Sequence, residues 1–113
     1  MLTVTFVVFV VAALGGAVLL TFALRGRHVP KGIALVHGAV AAIGIILLAI
    51  YAVRADDAPG ASLTLFVVAA LGGAYVLYRD LRQGSAPKGI AVAHGTIAIV
   101  ALVLLYLHWA AAR

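Results

Sequence analysis

Phe9-Val10-Val11-Ala12-Ala13-Leu14-Gly15-Gly16-Ala17 is spelled out a second time, letter for letter, over 66–74. At the same offset of 57 residues, Pro30-Lys31-Gly32-Ile33-Ala34 returns over 87–91, and His37-Gly38 returns as His94-Gly95. Aligned without gaps, positions 9–54 and 66–111 share 22 identities in 46. An apolar alphabet does not give that agreement by chance, so the chain reads as a tandem duplication, with repeat 1 over 1–57 and repeat 2 over 58–113.

The composition fixes the solvent in which the two copies fold. Of 113 residues, 66% are apolar and 10% charged, with a mean hydropathy of +1.25. A soluble domain carries about 45–50% apolar and roughly 25% charged residues. Four uncharged runs, Leu2–Leu24, Gly32–Val53, Ala61–Tyr78 and Gly89–Ala112, each hold between 18 and 24 residues. About 20 are needed to cross a hydrocarbon layer of roughly 30 Å as a helix. Barrel strands would be about half that length and would alternate apolar with polar. The expected fold is therefore an all-α membrane protein: a four-transmembrane-helix bundle made of two parallel tandem helical-hairpin repeats, one transmembrane domain over 1–113.

Charge placement agrees. The net charge of +5 is no nucleic-acid footprint, because every basic residue lies in a connection or at the C-terminus. Arg25, Arg27 and Lys31 occupy the first connection and Arg79, Arg82 and Lys88 the third, whereas the other side holds only Arg54 and Arg113. The positive-inside rule then predicts an inner-membrane protein with loops 25–31 and 79–88 cytoplasmic and both termini outside. Nothing basic precedes Arg25, and the first run has a counterpart deep in the chain, so it is read as a retained span rather than a cleaved signal. There is no cysteine, hence no thiolate ligand or thiol nucleophile.

An even number of spans per repeat gives both copies the same orientation, related by an expected pseudo-two-fold axis along the membrane normal. His37 and His94 then lie at equal depth, about 9 Å inside their helices at 1.5 Å per residue. Ionisable residues inside spans face the bundle interior and mark function. Neighbours three, four and seven positions away are Ile33, Ala34, Ala41 and Gly44 on one copy and Ile90, Ala91, Ala98 and Ala101 on the other, all small or apolar. Two imidazoles opposed across such a slot suit a b-type haem held through both axial positions. Gly38 and Gly95 would let the macrocycle approach the backbone, and Lys31 and Lys88, with Arg25 and Arg82, would meet its propionates.

With these features the chain resembles the membrane-embedded four-helix b-type cytochromes, on the placement of His37-Gly38 and His94-Gly95 on two of four short-looped spans. The resemblance implies haem b, with iron bound by His37 and His94, and either electron exchange with a quinol or a partner redox protein or a role in redox or haem sensing. Larger members hold two haems, but the counterpart of His108 is Tyr51, so one haem is expected. His108 itself reads as an interfacial residue beside Tyr106 and Trp109, and His28 as a solvated loop histidine. Gly15-Gly16 and Gly72-Gly73 read as sites of close helix approach.

Other readings stay open. The chain fits an accessory or scaffolding membrane protein with satisfied core histidines. It also fits a small transporter, although Asp56, Asp57 and Asp80 all fall in connections, and a copper or zinc site of two imidazoles, which leaves most metals under-coordinated. No nucleophile or base can be named, so catalytic turnover is not assigned beyond a component of a membrane oxidoreductase. Glycine-rich outer faces leave room for a homodimer.

Overall fold

The computed structural model describes residues 1–113 and consists of four helices: α1 (Leu2–Leu24), α2 (Lys31–Arg54), α3 (Gly60–Gln83) and α4 (Lys88–Ala111). Each is 23 or 24 residues long, about 35 Å at 1.5 Å per residue. The molecule measures 45 × 21 × 18 Å. Its long dimension equals a bilayer with its headgroup layers, about 40–45 Å.

Local chemistry sets the helix ends. Pro30, Pro59 and Pro87 stand at the N-caps of α2, α3 and α4, where a missing amide costs nothing. α1 closes in a Schellman arrangement: Gly26 takes φ +68°, its amide donates to the Ala23 carbonyl, and the Arg27 amide donates to Phe22. α3 ends on Gly84 at φ +78°. The third helix runs five residues past Tyr78, where the uncharged run stops. Polar pairs one turn apart sustain it: Arg79 donates to Tyr75 and Gln83, and the Arg82 guanidinium lies over the Tyr78 ring. Asp80 is consequently a helical residue and not part of a connection.

α1 packs against α2 and α4, and α3 against the same two, so α1/α3 and α2/α4 face each other across diagonals. The buried positions of α1 (Leu2, Thr5, Phe9, Ala12, Ala23) keep the alternating steps of three and four that give a left-handed bundle seam. Only 16 of 113 residues are buried, while Leu14, Leu35, Val53 and Leu71 are more than 60% exposed. Large apolar side chains cover the outside as well as part of the core, which in water would be costly and in lipid is the expected order. Four helices of this length and hydropathy identify an integral membrane bundle.

At the centre, Phe9 and Phe66, equivalent in the two repeats, stack 3.7 Å apart at 6° across the α1/α3 diagonal. Gly44 makes room: a β-carbon there would stand 2.9 Å from the Phe9 ring. Phe9 cannot retreat because Phe66 backs it. Gly44→Val is therefore expected to destabilise the bundle by about 1–3 kcal/mol through overpacking, read as a lower thermal midpoint in detergent, and Phe9→Ala in the same chain should recover part of the loss.

Candidate functional site

His37 and His94 sit on the diagonal helices α2 and α4, and both turn inward. Their ring centroids are 6.3 Å apart with planes at 88°. Each ring is anchored across its own hairpin. His37 Nδ1 lies 2.8 Å from the Ala12 carbonyl of α1, and His94 Nδ1 lies 2.6 Å from the Ala69 carbonyl of α3. Ala12 and Ala69 are equivalent positions, so the repeat symmetry holds down to single bonds. A carbonyl only accepts, so Nδ1 carries the hydrogen and, in the neutral ring, Nε2 keeps its lone pair. Neither Nε2 has a hydrogen-bond partner. A histidine whose Nδ1–H is held by a carbonyl is oriented as metal-binding histidines are.

The glycines that admit the rings are Gly16 and Gly73. A β-carbon would stand 3.0 Å from His37 Cε1 at Gly16 and 2.8 Å from His94 Cε1 at Gly73. Close helix approach through Gly15-Gly16 and Gly72-Gly73 thus serves the imidazoles. Gly38 and Gly95 do not take that part: Gly38 is exposed with nothing near it, and Gly95 meets only Leu20. A residue directly after an inward histidine lies about 100° round the helix, away from the interior.

Ala34, Ala41 and Ala98 are half-buried and Ala91 and Ala101 buried on the histidine faces, but Ile33 and Ile90 are exposed. Gly44 is buried, though the Phe9 ring occupies its open side and leaves no groove there. Lys31 is committed elsewhere, its ammonium paired with Asp80 and donating to the Val29 carbonyl. Lys88 reaches the other way, placing Nζ 3.8 Å from where a β-carbon on Gly26 would be. The two lysines are therefore not a symmetric pair beside the imidazoles.

Asp80 was legible only as a loop acid; its side chain is 1% exposed, and Oδ1 is buried without a partner. The end of the bundle that carries the termini repeats the histidine geometry with different atoms. Tyr51 and His108 meet with centroids 6.4 Å apart at 88°. His108 lies in the last turn of α4, its side chain 16% exposed and its Nε2 buried, 3.8 Å from Asp57 of the connection between α2 and α3. The Trp109 ring takes the outward place, bonded to Thr3 and stacked on Phe6. His28 is exposed in its connection, as read from the sequence. No group of three or more His, Cys, Asp or Glu gathers in the chain.

Nitrogen NMR on histidine-labelled protein should show His37 and His94 as Nδ1–H tautomers. Gly73→Val should shift the His94 signal, leave His37 in place, and cost about 1–3 kcal/mol for the orphaned ring nitrogen and carbonyl. No family model, curated protein or solved structure matches this chain.

Proposed function

We propose that this membrane protein holds one b-type haem between its repeats, with His37 and His94 as the axial ligands, and that it passes electrons. The observation that carries the reading is the pair of imidazoles from different repeats, 6.3 Å apart, each tied by Nδ1 to a backbone carbonyl. Imidazole–metal bonds are about 2 Å long, and each nitrogen lies about 1 Å outside its ring centroid, so two axial rings stand roughly 6 Å apart. The 6.3 Å between the two ring centroids is close to that distance. Haem supplies the remaining ligands itself, which agrees with a site offering only two protein donors.

The chain's own residues do three things in this reading. Ala12 and Ala69 hold the rings by Nδ1, fixing the tautomer and raising the basicity of Nε2. Gly16 and Gly73 give the rings their room, since a β-carbon at either would meet the Cε1 of the ring it faces. The surrounding alanines keep the site apolar. The bound haem contributes one-electron transfer, tuned by its two imidazoles and by burial. Donor and acceptor are a quinol or a partner redox protein. A quinol has a way in from the bilayer, since a groove of about 300 Å³ between α1 and α2, lined by Val11, Gly15, Val36 and Val40, reaches His37. By the positive-inside rule the histidines lie in the cytoplasmic half of an inner-membrane protein, with both termini outside.

A second reading, proton-coupled transport, is favoured by one finding: Asp80 is a buried carboxylate within a helix. Buried acid–lysine pairs in membrane bundles mark proton pathways, and this one stands at the basic end of the bundle.

Protein purified after expression with haem should be red, with visible bands that sharpen on reduction. His37→Ala and His94→Ala should each lose the pigment, with helicity by circular dichroism retained, and His108→Ala should keep it. A colourless preparation that stays colourless with added haem overturns the reading. Solute flux in liposomes that survives both histidine changes and stops with Asp80→Asn would establish transport instead.

A further inference from the structure

The two repeats treat their shared lysines differently. Lys31 of repeat 1 finds Asp80 across the α2/α3 contact. The equivalent partner for Lys88, across the α4/α1 contact, would come from position 23, and that residue is Ala23, which is buried. Lys88 therefore lacks the counter-charge its twin has. Its ammonium extends instead toward Gly26, between Arg25 and Arg27. Those two arginines line a recess of about 100 Å³ with Thr21 and Phe22 at the end of α1.

None of Arg25, Arg27 and Lys88 has an ion pair, side-chain hydrogen bond or ring contact. The equivalent end of α3 is different: Arg79 is bonded to Tyr75 and Gln83, and Arg82 lies over Tyr78. The one acid at this end of the bundle, Asp80, is already taken. The first amides of α4 add to the field, since the N-cap is Pro87 and no side chain caps them. Arg25 and Arg27 line the small recess, and the unpaired Lys88 ammonium lies beside Gly26, the residue between them, at the level where headgroups lie and next to the apolar side chain of Phe22.

We propose that Arg25, Arg27 and Lys88 bind the phosphate of an anionic phospholipid headgroup, which fills the place that Asp80 fills against Lys31. Each phosphate oxygen accepts charge-assisted bonds from the guanidinium and ammonium donors. The acyl chains follow the exposed face of α1, where Val18 and Leu14 project outward. A free phosphate ion offers the same oxygens but no chains. Basic recesses between spans on the cytoplasmic side are suited to such headgroups. The inference is independent of the haem reading, because a colourless protein would leave this recess unchanged.

Native mass spectrometry of the full chain, released from micelles with equal phosphatidylglycerol and phosphatidylcholine, tests it. Phosphatidylglycerol should be retained in preference. Arg25→Gln, Arg27→Gln and Lys88→Gln should each weaken retention about five-fold, while Arg79→Gln and Arg82→Gln leave it unchanged. Ala23→Asp should release the lipid without removing a positive charge, by giving Lys88 the partner its twin has. Lys88→Gln, at an exposed position, keeps the test sound if a buried aspartate prevents folding. Equal retention of the two lipids, equal loss with the Arg79 and Arg82 changes, or displacement by inorganic phosphate at the lipid's own concentration would overturn the proposal.

Discussion

The bonds from His37 to the Ala12 carbonyl and from His94 to the Ala69 carbonyl set the spacing on which the rest of the bundle depends. In hydrocarbon a ring nitrogen has no water to turn to, and an unmet polar group costs several kcal/mol. Each imidazole must reach the next helix, and only a glycine on that helix lets it come close enough. Gly16 and Gly73 are thus consequences of the histidines. The same bonds draw α1 onto α2 and α3 onto α4, and both rings come to face the axis between the repeats.

A duplicated bundle is symmetric where its copies keep the same residues and becomes specific where they part. The middle is nearly symmetric: stacked Phe9 and Phe66, paired alanines, opposed histidines. The ends are not. Tyr51 opposes His108 with the same ring geometry as the histidine pair but without a second imidazole, so the layer nearer the termini offers no matching pair of nitrogens. At the basic end Asp80 replaces an alanine, and one lysine of two gains a partner. Interior positions are tied to their twins by packing. The ends border water and headgroups, where a changed side chain disturbs less and a new role is open to it.

Much of this was legible in the chain itself. Four runs of sufficient length gave the spans, and the 57-residue offset gave the parallel repeats and the equal depth of the histidines. The inward face around His37 and His94 followed from helical spacing for Ala34, Ala41, Ala98 and Ala101, and failed for Ile33 and Ile90. Those two lie one turn toward the helix start, at the edge of the seam, where apolar character does not distinguish a lipid-facing from a core-facing residue. Gly38 and Gly95 stand beside the histidines in sequence but do not line the contact that admits the rings, because adjacency in sequence is not adjacency on a helix. Asp80 was assigned to a connection because charge was taken to end the span, although i,i+4 pairs carried the helix past it.

The sequence by itself determined which segments cross the membrane, how many there are, how the halves relate, and at what depth the ionisable groups sit. These depend on hydropathy, length and internal identity, which are properties along one dimension. Only the tertiary structure decided what each polar group touches: a carbonyl of Ala12 or Ala69 for a histidine, Asp80 for Lys31, no counter-charge for Lys88. A helical period gives the direction of a side chain relative to its own axis. The direction relative to a neighbouring helix depends on the rotation and separation of the two, and in lipid those are settled by the close packing of small residues and the few polar bonds that close it.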